Sequence, residues 1–99
     1  MTEVWTHGTW TAKSGQEDQF VAAWKELADW TIANYPGARG TLLRDRERTN
    51  LFVSFGPWPD LETAQAWRAS DGFRERVARI QQTIESFEPR TLDLVTAAS

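Results

Sequence analysis

Few residues in this sequence can do chemistry, and tryptophan dominates them. The chain has six tryptophans and five phenylalanines in 99 residues. They are densest in Phe52-Val53-Ser54-Phe55-Gly56-Pro57-Trp58-Pro59-Asp60 and in Trp67-Arg68-Ala69-Ser70-Asp71-Gly72-Phe73. Large rigid rings either fill a small core or line a pocket for a flat, apolar molecule. Trp10 and Trp24 fall on stripes that face a core. Trp67 shares its helix face with small Ala64 beside a break at Ser70, where a ring can border a cavity, so packing and pocket lining weigh about equally. Trp58 reads as a plug over the end of a strand.

Other chemistries find thin support. Zinc and iron sites need imidazole or thiolate clusters, and His7 is the only residue of that kind. A single histidine in a strand is more often packed or solvated than a ligand. With no cysteine there is no disulfide and no thiolate nucleophile. Asp71 and Glu75 lie one helical turn apart, but Glu75 with Arg79 is the simpler surface pair. Ser54 and Ser70 have no local His or Lys partner to activate them. Gly37-Ala38-Arg39-Gly40 lacks the G-x-G-x-x-G spacing and leads from a helix into a strand, so it reads as a turn. Arg68, Arg74, Arg76 and Arg79 form a mostly solvated face, from which one arginine at a cleft mouth could steer an acidic or phenolic substrate. No general base is assigned. His7 is the one imidazole but alternates away from Trp10, and Tyr35 at a helix end is a weaker alternative.

The elements that must position these residues follow from periodicity. Val4–Ala12 alternates as a strand, with Val4, Thr6, Gly8, Trp10 and Ala12 on one face and Trp5, His7, Thr9 and Thr11 on the other. Ser14-Gly15-Gln16-Glu17 has capping-box spacing and predicts a helix carrying Phe20, Ala23, Trp24, Leu27 and Thr31 on one stripe, ended before Pro36. Residues 39–44 and 50–56 read as a hairpin. The second strand is expected to end at a Gly-Pro-Trp corner, and Asp60 to cap a helix over 60–69. Phe73, Val77, Ile80, Ile84 and Phe87 recur at spacings of four and three, predicting a helix stopped by Pro89, with a last strand over 91–95. Strand, helix, strand, strand, helix pair, strand is the split βαβ order of an α+β, ferredoxin-like domain with an antiparallel four-stranded sheet. Helices cover one sheet face, and a partner sheet is the expected cover for the other.

Composition bounds the rest. The length suits a single domain over residues 1–99, with 96–99 a fraying tail. A net charge of −3 gives no basic footprint, so neither nucleic acid nor membrane is an expected partner. No long apolar run and no signal-peptide start are visible, and a cytoplasmic protein is expected.

The segment Lys13-Ser14-Gly15 precedes a helix with Phe20, and Pro36-Gly37-Ala38-Arg39-Gly40-Thr41-Leu42-Leu43-Arg44-Asp45 follows it. Together with Phe52-Val53-Ser54-Phe55, Trp58 and the run from Trp67 to Phe73, this order resembles the antibiotic biosynthesis monooxygenase family over nearly the whole chain. The resemblance implies a homodimer whose two sheets form an α+β barrel, with a pocket between sheet and helices in each subunit. It also implies a cofactor-independent monooxygenase acting on a planar aromatic or quinol-type molecule, with no metal. The haem-degrading branch of the family fits less well: Trp67 matches its pocket tryptophan, but Val77 stands at its haem-ligating histidine and Gly8 at its first-strand asparagine. Gly56 stands where many relatives carry an acidic residue. The expected substrate-binding residues are Trp67, Phe73, Val77 and Trp10. The alternative is a non-catalytic homodimeric module that binds a small ligand or another protein.

Overall fold

The computed structural model describes residues 3–99 of the chain. Its elements are β1 (Val4–Ala12), α1 (Glu17–Asn34), β2 (Thr41–Arg44), β3 (Leu51–Trp58), α2 (Leu61–Ala69), α3 (Asp71–Gln81) and β4 (Ile84–Asp93). The four strands form one sheet in the order β2-β3-β1-β4, with every neighbouring pair antiparallel. This is the expected α+β, ferredoxin-like arrangement.

Alternation along β1 and β3 decides which face the helices cover. Val4, Thr6, Gly8, Trp10 and Ala12 are buried, as are Phe52, Ser54, Gly56 and Trp58, while the residues between them stay half-exposed. Phe20 and Leu27 of α1 and Val77 and Ile80 of α3 close over Trp10, Ala12, Phe52 and Ile84. Phe20, Phe52 and Ile80 are the largest fully buried side chains. Each contributes on the order of 1.5–3 kcal/mol by leaving water. A smaller cluster of Val4, Trp58 and Ala64 sits at the other end of the sheet, and Trp67 packs against both.

Three local expectations are corrected. The capping box does not form: Gln16 occupies the N-cap of α1 without a side-chain cap bond. Ser14 and Gly15 lie instead in a turn closed by the Gln16 amide donating to the Lys13 carbonyl, with Gly15 at φ 85°. A side-chain-free residue takes that conformation without strain. The Gly-Pro-Trp corner is also absent, because β3 continues through Gly56 and Pro57 to Trp58. Pro57 is tolerated there because the pairing of β2 with β3 stops at Thr41↔Phe55, leaving no neighbour on that side to accept its missing N–H.

The third correction concerns Ile84 and Phe87, which lie on β4 and not on a helix. β1 pairs Thr11 with Ser86 but Ala12 with Ile84, so an extra residue bulges out of β4. The bulge puts residues three apart on the same sheet face and imitates a helical spacing. Pro89 sits within β4, on an edge strand where a missing N–H is harmless. The Asp60 cap matches expectation, accepting from the Thr63 amide, and at the break Ser70 accepts from the Phe73 amide to cap α3.

Candidate functional site: an aromatic slot between sheet and helices

Between the helix-facing side of the sheet and α1 and α2 lies a slot of about 70 Å³. Its rings come from Trp10, Trp58 and Phe87 on the strands, Trp24 on α1, and Trp67 and Phe73 on the second helical region. Phe87 stacks on Trp10 with ring centroids 3.8 Å apart and planes 11° from parallel. Trp67 stands 4.9 Å from Trp58 and 4.6 Å from Phe73. The mouth is formed by exposed Ile32 and Arg39. A cavity of ~150 Å³ is enough for benzene, so the slot as it stands is smaller than one enclosed ring requires. A shallower depression of about 360 Å³, walled by Tyr35, Pro57, Pro59 and Thr63, adjoins it and shares Arg39 and Trp58.

The polar atoms of the slot are set by the indoles. The Nε1–H groups donate from Trp10 to Ser54 Oγ at 2.9 Å, from Trp58 to Thr6 Oγ1 at 3.0 Å and from Trp67 to Thr31 Oγ1 at 2.9 Å. Each tryptophan is thereby held in one orientation and its buried donor satisfied. Arg39 reaches the slot because Gly56 carries no side chain: a Cβ there would meet the Arg39 carbonyl, so only glycine lets the α1–β2 segment cross β3. Arg68 is held by Thr91 Oγ1 at 2.6 Å and the Arg90 carbonyl at 2.9 Å. Burial lowers its pKa from the usual arginine value, which still leaves the guanidinium charged at neutral pH.

Trp10, Trp67 and Phe73 border this slot. Val77, grouped with them on sequence, does not; it is buried in the main core with Ile80, behind the slot wall. Its place on α3, one turn from Phe73, gave it the same predicted stripe but points it at the sheet. Thr6, Thr31, Ser54, Arg39 and Phe87 were not singled out as site residues. A polar residue on the buried face of an alternating strand was the available signal for Thr6 and Ser54. The side chain of His7 alternates to the opposite sheet face. Among the described residues no group of three or more His, Asp or Glu is placed to hold a metal ion. Among the described residues no helix is long and apolar enough to cross a membrane.

A four-stranded antiparallel sheet with helices on one face defines a ferredoxin-like α+β class. More specifically, the chain belongs to the antibiotic biosynthesis monooxygenase family, whose sequence model matches residues 4–79. SnoaB of Streptomyces nogalater, a cofactor-independent oxygenase, superposes with a TM-score of 0.83 at 25% identity, over 100% of this chain and 96% of that one. A Caulobacter crescentus protein provisionally described as an antibiotic biosynthesis monooxygenase gives 0.86 at 18% identity, over 96% and 92%. A conserved protein of Methanosarcina mazei gives 0.81 at 16%, over 92% and 91%. No curated protein matches the sequence at a significant level.

Proposed function

We propose that the chain is a cofactor-independent monooxygenase acting on a planar aromatic or quinol-type small molecule, as a cytoplasmic homodimer. The observation that carries this reading is the slot itself, which has aromatic walls, oriented hydroxyls and two arginines. In such chemistry the deprotonated substrate supplies electrons to dioxygen, one oxygen atom ends on the substrate and the other leaves as water. The protein's part is to bind the ring flat, exclude water and stabilise the anion. Trp10, Trp67 and Phe73 supply the stacking walls, and Arg39 and Arg68 the positive potential at the mouth. The homodimer would form through the sheet face that carries Trp5, His7 and Thr9, which the helices leave uncovered.

One observation favours the alternative of a non-catalytic binding module: the slot has no carboxylate among its lining residues, and His7, although it lies along the slot, alternates its side chain to the opposite sheet face. A catalyst built this way needs a substrate that ionises without a side-chain base. Oxygen uptake with anthrone- and hydroquinone-type substrates separates the readings. Consumption by the wild type, reduced tenfold or more in Trp67→Ala while the variant remains folded, supports the oxygenase. Binding of the same compounds without oxygen consumption supports the module.

A further inference from the structure

A hydroxyl carries one donor and two acceptor lone pairs, whereas an indole can only donate. The bonds from Trp10 to Ser54 and from Trp58 to Thr6 therefore use an acceptor site on each hydroxyl and leave its O–H free. Thr31 shows the finished case. It accepts from Trp67 and donates to the Leu27 carbonyl at 2.8 Å, so its single O–H is already used. Thr6 and Ser54 have no such acceptor among the described residues, although they are only 8% and 9% exposed. In the register Thr6 pairs with Gly56 and Gly8 with Ser54. The two hydroxyls thus stand at opposite corners of a square whose other corners are glycines, on the sheet face that floors the slot.

The charges around them have the same sign. Among the described residues neither Arg39 nor Arg68 has a carboxylate within salt-bridge distance, the ion pairs being Lys25–Asp29, Arg79–Glu26 and Arg90–Glu88. Apart from the second lone pair on each hydroxyl, the side-chain groups the slot has to spare are donors or cations. Such a site favours an anionic oxygen and disfavours an ammonium or a second donor.

We propose that Thr6 and Ser54, with their donor direction set by Trp58 and Trp10, form a two-donor site for the ionised oxygen of an aromatic ligand, a phenolate or an aryl carboxylate. This rests on the reading of the slot as a ligand site, and it supplies what that site lacks. A phenol whose pKa is lowered on binding can lose its proton to water, so no side-chain base is required.

The test is the pKa of a bound phenol, followed by absorbance with 4-nitrophenol and with 2-naphthol at saturating protein. The expected result is a fall of about one unit, equivalent to phenolate binding ~10-fold more tightly than phenol. Thr6→Val and Ser54→Ala should each return the bound value part of the way to that of the free phenol. Each variant strands an indole N–H, so the pair Trp10→Phe/Ser54→Ala, which removes donor and acceptor together, serves if a single variant unfolds. Arg68→Gln separates the guanidinium from the hydroxyls. Should Arg68→Gln abolish the shift while the hydroxyl variants leave it intact, the two-donor site is wrong. An unchanged or raised bound pKa also overturns it, yet leaves the oxygenase to be judged by oxygen uptake. If neither phenol binds, both this site and the proposed function fall. Parallel titrations with 2-naphthoate and its neutral amide show which anion is preferred, and equal affinity for those two counts against the proposal.

Discussion

The two faces of the sheet treat their indoles in opposite ways. On the helix side Trp10 and Trp58 donate to hydroxyls of the neighbouring strand, and Trp67 donates to α1. On the other side Trp5 Nε1 and His7 Nδ1 are buried without a hydrogen-bond partner, beside Phe55, whose ring centroid is 6.2 Å from that of Trp5. Leu43 and Leu92, which the register places on this same face, are 53% and 43% exposed. An unsatisfied buried donor costs roughly 1–3 kcal/mol. The indoles packed between strands and helices, Trp10, Trp58 and Trp67, are therefore satisfied within one chain, whereas Trp5 on the open side is not. The largest expected effect breaks this contrast directly. Phe55→Lys puts a charge in the middle of the open face, opposite His7. Sedimentation equilibrium should show twice the 11.3 kDa chain mass for the wild type and a single chain for the variant. A wild-type monomer would mean that the open face needs no partner.

A smaller effect separates core from slot on the helix side. Phe52 is fully buried, and cutting it to alanine should cost ~3–5 kcal/mol, a large part of the ~5–15 kcal/mol that holds a domain together. Trp67 is only half-buried, with the slot on one side of it. Trp67→Ala should therefore cost less than Phe52→Ala in chemical denaturation, despite removing the larger side chain. Equal costs would mean that Trp67 is a core residue and that the slot has little freedom to admit a ring.

The same contrast explains what the sequence could reveal. Alternation along β1 separated Trp10 from His7 correctly because that strand is regular over nine residues. The α3–β4 junction was misread because a bulge at Thr11/Ala12 brings Ile84 and Phe87 to one side of a strand. Periodicity cannot distinguish that from a helix. The partners that orient the slot were invisible for another reason. Trp10 and Ser54 lie 44 residues apart and Trp58 and Thr6 lie 52 apart, joined only by strand register. The Gly56 crossing is likewise a tertiary fact, since nothing near Gly56 in sequence shows that the Arg39 carbonyl lies against it. Asp60 was legible because a cap is settled within four residues.

The smallest expected effect sharpens the comparison by touching one face only. Asp60 caps α2, the helix that brings Trp67 and Arg68 to the slot, and has no place on the open face. The Thr63 amide, followed by the Thr63 hydroxyl, holds the Asp60 carboxyl below the usual carboxylate range. A depressed folded pKa adds stability that is fully present above the unfolded value of ~3.9 and is lost as pH falls through the folded value. Asp60→Ala should therefore lower Tm modestly at neutral pH. The difference from wild type should shrink once the pH drops below about 4. Sedimentation mass should not change, because α2 is not part of the open face. A Tm difference that stays constant into acid would assign the effect to packing and not to the charged cap. A loss of dimer mass would show that the two faces are coupled through the sheet, and the division between a helix side with satisfied indoles and an open side without them would then have to be given up.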